Sequence, residues 1–207
     1  MSTMLRIIFH ALFVRPFILI VIGLRVLGRD KLPTQGPAII AANHNSHLDT
    51  AVLMSLFPIT RLARVRPAAA ADYFLRSGPM AWFSKTLMGI VPVDRQARER
   101  GEDPFVYVKE ALAQDQILIV FPEGTRGEPE QMVEPKKGIA HLVEQYPHLS
   151  VTPVYLRGLG KSLPKGSWLP VPFFCDVIVG EPIEWTGDRD SFMERIRSEG
   201  LTLSQQR

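Results

Sequence analysis

The sequence has one cysteine in 207 residues, Cys175. That excludes an intramolecular disulfide framework and a four-cysteine metal site, and makes a reducing, cytosolic setting the default. Long apolar runs are also missing. Near the N-terminus the longest stretch without a charge or histidine is Pro16 to Leu24, nine residues, against the roughly 20 that a bilayer-crossing helix needs. There is no internal repeat and no low-complexity segment. No basic run is interleaved with aromatics as single-strand binders require, so nucleic acid is not an expected partner.

What is present is apolar enough to fold. Hydrophobic residues make up 46% and charged residues 22%, which excludes a disordered or fibrous chain. Mean hydropathy is +0.06, high for a soluble enzyme and low for a polytopic membrane protein. The net charge of +3 hides an asymmetry. Residues 1–100 carry thirteen Lys/Arg against five Asp/Glu, a balance of +8, and residues 101–207 carry eleven against sixteen, a balance of −5. A basic half suggests an anionic partner such as lipid headgroups or a phosphorylated substrate.

Residues 1–28 are mostly apolar but are interrupted by Arg6, His10, Arg15 and Arg25. Pro16 is expected to split them into two short helices. Arginines that snorkel toward headgroups would let these lie on one leaflet as a monotopic anchor over residues 1–33. A buried core helix is the alternative. A signal peptide is disfavoured, because no small-residue cleavage site follows the apolar run.

The turn-rich Leu32-Pro33-Thr34-Gln35-Gly36-Pro37 opens the globular part, taken as residues 34–207. Short apolar runs predict buried strands at 38–42, 90–93, 117–121 and 151–155, with an alternating strand at 173–179. Helical spacing is found at 46–57, in pieces over 72–88 around Gly78-Pro79, and at 104–114, 137–145 and 189–199. Strands alternating with helices predict an α/β fold, a mixed, partly parallel sheet flanked by helices, behind an N-terminal membrane-associated helical segment.

Two constellations carry chemistry. His44 and Asp49, in Asn43-His44-Asn45-Ser46-His47-Leu48-Asp49, follow a strand and open a helix. A carboxylate that fixes the tautomer of an imidazole makes a general base. The plain alternative is a Ser46 N-cap with Asp49 three residues on. A third reading gathers His44, His47 and Asp49 around a metal, as in a metal-dependent hydrolase. The second constellation is Phe121-Pro122-Glu123-Gly124-Thr125-Arg126, at a strand end where open α/β sheets place ligands. Arg126 suits bidentate contact with phosphate, and a turn with a surface ion pair is the alternative.

His44-x-x-x-x-Asp49, followed about 75 residues later by Phe-Pro-Glu-Gly-Thr-Arg, resembles the glycerolipid acyltransferase family. Gly89-Ile90-Val91-Pro92-Val93-Asp94-Arg95, Lys136-Lys137-Gly138 and Val151-Thr152-Pro153-Val154-Tyr155 are similar to further blocks of that family, in the same order, over roughly Gly36 to Glu181. The resemblance implies transfer of a fatty acyl group from a thioester to the free hydroxyl of a lysophospholipid, most directly 1-acylglycerol-3-phosphate, giving phosphatidic acid. A different lysolipid or a non-glycerol alcohol is the alternative acceptor.

On that resemblance His44 is the general base and Asp49 orients it, with no covalent acyl-enzyme through Ser46. Glu123, Gly124, Thr125 and Arg126 shape the acceptor site, Arg126 on the phosphate and Arg95 in support, while Pro153 is structural. No cofactor or metal is implied. The partners are membrane phospholipids, the lysophospholipid and an acyl donor, coenzyme A or acyl carrier protein, with the enzyme monotopic on the cytoplasmic face of the inner membrane. Two departures bear on the headgroup. Many family members carry a lysine where this chain has Ala68 to Tyr73, with Arg66 and Arg76 the nearest cations, and Gly127 stands where a serine is common.

Overall fold

The computed structural model describes residues 2–74, 77–127, 133–162 and 173–206. In chain order the elements are α1 (Ser2–Phe9), a π-helical turn (His10–Val14), α2 (Arg15–Val21), β1 (Ile22–Leu27), β2 (Ala38–Ala42), α3 (Asp49–Ser55), β3 (Val65–Ala70), α4 (Ala71–Phe74) and α5 (Gly78–Phe83). A second π-helical turn (Ser84–Met88), β4 (Val91–Val93), α6 (Val106–Ala113), β5 (Ile117–Val120), α7 (Gly138–Gln145), β6 (Ser150–Arg157), α8 (Leu159–Ser162), β7 (Phe173–Val179) and α9 (Arg189–Gln205) follow.

The strands form one seven-stranded sheet in the order β1-β7-β6-β2-β5-β3-β4. Five of them, from β6 to β4, are parallel. β7 runs antiparallel to β6, and β1 runs parallel to β7. Parallel neighbours need crossovers, and the crossover helices cover both faces. Central β2 and β5 are therefore almost entirely apolar, AIIAA and ILIV. Their alternate residues point to opposite cores. Ile40 and Ile119 pack with α3 and the N-terminal helix, and Ile39 and Leu118 pack with α6, α7 and α9.

The N-terminus departs from the expected pair of short helices. Thr3–Val21 is one helix, carried through Pro16 by the π turn. The Arg15 N–H reaches back to the His10 carbonyl, five residues away. Pro16 has no N–H to donate, and its ring would crowd the carbonyl four residues earlier. The wider turn relieves both problems locally, so the helix continues.

Nor do the arginines face headgroups. The buried Arg6 donates to the Ala63 carbonyl at 2.7 Å. Arg15 donates to the carbonyls of Ser55 and Phe57, and Arg25 holds Asp176 through two bonds of 2.9 Å. The carbonyls at the end of α3 have no intrahelical partner and carry the negative end of its dipole, so they draw the guanidinium inward. With Ile18 also buried and Val14 and Phe17 packed against the core, one side of this helix belongs to it. The sheet accordingly begins at Ile22, upstream of the turn-rich stretch at which the globular part was expected to open.

Candidate functional site

β2 delivers the chain to the carboxyl edge of the parallel strands, and the next six residues do not continue directly into a helix. Asn43 is buried and clamps β6: its side-chain amide donates to the Leu156 carbonyl at 2.9 Å and accepts the Leu156 N–H at 2.6 Å. Asp49, fully buried at the start of α3, turns back on the loop. Its Oδ2 accepts the N–H groups of Asn45 at 2.7 Å and Ser46 at 2.8 Å. These bonds hold residues 43–48 out of the helix predicted from Ser46.

His44 Nδ1 lies 2.8 Å from the same Oδ2. A carboxylate oxygen already receiving two N–H groups accepts here as well, which assigns the proton to Nδ1 and leaves Nε2 with its lone pair. The imidazole stacks on Phe121, with ring centroids 4.1 Å apart and planes 20° apart. His44 is thus half-buried and held in orientation from two sides.

Phe121 opens the second constellation. Gly124 N–H returns to the Phe121 carbonyl at 3.0 Å, and Gly127 N–H reaches the His44 carbonyl at 2.9 Å, so the two loops are tied through the backbone. Glu123 lies between the two loops, where the backbone N–H groups of His44 and Val133 favour its ionised form. It is only 4% exposed. Burial pushes its carboxyl up to about 7, against the pull of those two donors, and the nearby Asp49 carboxylate pushes the same way as burial.

Cations gather on Gly124. Arg95 donates to its carbonyl, and the Lys136 ammonium lies 3.0 Å from where a β-carbon would stand. Arg126 meets His47 Nε2. Partial burial and the Arg126 charge hold the His47 imidazole below its ordinary value, which leaves it neutral to accept that contact. Thr125 is exposed between them. Among the described residues none of Arg95, Arg126 and Lys136 pairs with a carboxylate. An anionic group at this corner would meet three cations, where Coulombic attraction and bidentate hydrogen bonding act together.

The three residues considered as metal ligands do not converge. His44 is bonded to Asp49, while His47 turns away to Arg126. Among the described residues no group of three His, Cys, Asp or Glu is placed to hold a metal ion. Ser46 is buried and its hydroxyl accepts the Leu48 N–H at 3.2 Å. Arg66 points to the carbonyls of Gly89 and Ile90, away from the site, and Arg76 lies outside the described residues. Sequence reasoning singled out Lys136 only as part of a similar block and gave no role to Asn43 or Phe121. Position immediately after a strand was the available signal for the last two.

Comparison with known proteins places the chain among acyltransferases. Residues 23–157 match the family described as Acyltransferase. A chloroplastic 1-acyl-sn-glycerol-3-phosphate acyltransferase of Arabidopsis thaliana is 29% identical over 149 residues, 70% of this chain and 38% of that protein. The human 1-acyl-sn-glycerol-3-phosphate acyltransferase alpha is 27% identical over 192 residues, 88% of this chain and 64% of that protein. The chain thus spans 38% to 64% of the length of these relatives. The crystal structure of the 1-acyl-sn-glycerophosphate acyltransferase PlsC from Thermotoga maritima superposes with a TM-score of 0.69 at 23% identity, covering 99% of this chain and 81% of that one. At that identity the likeness establishes the fold.

Proposed function

The chain belongs to the acyltransferase family, and from that premise we propose that it moves a fatty acyl group from an acyl thioester to the free hydroxyl of a lysophospholipid, 1-acylglycerol-3-phosphate before others. The observation that carries the reading is the His44–Asp49 pair, with Nδ1 and Oδ2 2.8 Å apart and Nε2 left to act. Nε2 takes the proton of the acceptor hydroxyl as its oxygen attacks the thioester carbonyl. The tetrahedral intermediate then expels the thiolate, which recovers the proton from the imidazolium. Asp49 stabilises that imidazolium and keeps the ring from turning. The donor is coenzyme A or acyl carrier protein, as substrate and not as cofactor.

The cations on Gly124 support a phosphate-bearing acceptor. In this reading Arg95 and Arg126 receive the phosphate, and Lys136 adds a charge in a chain that has no lysine between Ala68 and Tyr73. Glu123 lies beneath His44, and Gly124 leaves room for the approach of Lys136.

The N-terminal helix supports attachment to one leaflet. Thr3–Val21 is long and apolar enough to cross a membrane by length and composition alone. However, Arg6, His10 and Ile18 fix one side of it to the domain. The other side exposes Leu12, Phe13, Leu19 and Ile20. A helix bound along its length to a folded domain lies in the membrane surface. A thioester donor supplied from the cytosol puts that leaflet on the cytoplasmic face of the inner membrane.

A donor and acceptor screen with products read by mass spectrometry tests the reading. His44→Ala is expected to lose at least about a hundredfold in transfer rate, and Arg126→Ala to weaken phosphate-bearing acceptors more than neutral ones. Parental activity in His44→Ala overturns the mechanism, and equal losses on both acceptor types overturn the phosphate role.

A further inference from the structure

A second apolar element stands beside the N-terminal helix. α5 follows the short α4 in the crossover from β3 to β4, and β3 ends at the carboxyl edge of the sheet, the edge at which His44 leaves β2. Ser77 caps it by accepting the Met80 N–H, and Pro79 occupies its first turn. These features fix a helix of only six residues that exposes Met80 at 44%, Trp82 at 55% and Phe83 at 38%. Three large apolar side chains on so short a helix normally fold inward. Here they stay in solvent although Leu87, one turn later, is buried.

This patch is continuous with the N-terminal helix. Phe83 meets Phe9 edge-on at 5.9 Å, and Phe9 stacks on Phe13 at 5.8 Å. Phe13 is 63% exposed and Leu12 64%. Charge along the two segments is one-sided. Residues 1–29 and 77–93 contain no Asp or Glu, and the exposed cation on the α5 side is Lys85. An apolar face with an interfacial tryptophan, a basic residue at its margin and no acid matches the surface of an anionic leaflet. A protein partner would more often meet a face rimmed by charges of both signs.

We propose that α5, through Met80 and Trp82, is a second membrane-contact element that seats with the N-terminal helix in one leaflet containing anionic lipid. Two contacts fix the tilt of the domain, which a single in-plane helix leaves free to roll about its axis. α5 follows, through α4, a strand that ends at the edge carrying His44, so seating α5 turns that edge toward the headgroup layer. A lysolipid then reaches the base with its chain still in the leaflet. That consequence rests on the acyltransferase reading, whereas the surface itself does not.

The test therefore avoids catalysis. The full chain is floated on vesicles of phosphatidylcholine with and without phosphatidylglycerol, beside the variant Met80→Asp/Trp82→Asp. The variant's bound-to-free ratio is expected to fall at least about tenfold, and parental binding to rise with phosphatidylglycerol. A second measurement leaves the patch nearly intact. The tryptophan signal lost in Trp82→Phe is taken as that of Trp82, and brominated acyl chains in the vesicles are expected to quench it. Unchanged flotation of a folded variant overturns the proposal, and so does a Trp82 signal that brominated lipid leaves unquenched. If the variant fails to fold, the quenching experiment decides alone. A dimer that the double variant converts to monomer while flotation persists assigns the face to a second copy and overturns the proposal as well. Loss of acyl transfer with normal flotation and quenching would instead count against the catalytic reading alone.

Discussion

At Glu123 burial and hydrogen bonding pull in opposite directions, and burial wins. The carboxyl titrates near 4.5 in an unfolded chain and near 7 in the fold. Between those values the folded state holds more protons than the unfolded one. Stability therefore declines as pH rises from about 4.5 to about 7 and is flat above. Glu123→Gln keeps an acceptor for the His44 N–H and removes the titration. Urea unfolding at about pH 5 and about pH 8 should show the variant gaining on the parent as pH rises. A constant gap would mean that the carboxyl is ionised throughout. The residues of this site were unequally legible. His44 and Asp49 declare themselves because a five-residue spacing across a strand-to-helix junction brings imidazole and carboxylate together locally. Glu123 was read as lining the acceptor site, and its buried carboxyl lies near the backbone of His44, some 80 residues away in sequence. Which way a strand-end side chain turns depends on the loop packed against it, and no local pattern carries that.

Among the elements, the strands buried on both sides were the plainest to read. β2 and β5 appear as unbroken apolar runs because helices cover both of their faces. β3, VRPAAA, was not read, since Pro67, Arg66 and three alanines look like a linker. Only its register between β5 and β4 makes it a strand. β1 was absorbed into the anchor because strand and membrane segment share an apolar composition, and its parallel pairing with β7 lies 150 residues off in sequence. The junction between the second π turn and β4 is where α1 is fastened. Gly89 adopts φ +67°, and a β-carbon there would overlap the Arg6 guanidinium. Gly101, at φ +72°, has open space around it. Alanine at either glycine is expected to cost about 1–2 kcal/mol for the left-handed backbone. Gly89→Ala should lose more, because Arg6 must also surrender its seat beside the Ala63 carbonyl. Thermal unfolding of both variants separates the two effects, and equal losses would show that Arg6 contributes nothing there.

For the whole molecule, the basic half is less an outward-facing charge than its sum suggests. Arg6, Arg15 and Arg29 spend their charge on backbone carbonyls near α3 and β3, and Arg25 on Asp176. The cluster beside His44 draws on both halves, Arg95 from the basic one and Arg126 and Lys136 from the acidic one. The same fastening changes what the N-terminal helix is. Full burial of Ile18 alone contributes about 1.5–3 kcal/mol, and Ile7, Val14, Phe17 and Val21 are packed on the same core. Against a total stability of about 5–15 kcal/mol for a typical domain, losing the helix is not a neutral truncation. Deleting residues 1–21 should expose Leu53, Phe57 and their neighbours, and yield a chain that aggregates or unfolds at markedly lower temperature. Leu12→Glu/Phe13→Glu alters only exposed positions, so it should leave the thermal midpoint nearly unchanged while releasing the protein from vesicles. If the truncated chain were instead soluble and folded, with the parent's thermal midpoint, the helix would be a detachable anchor and not a wall of the core.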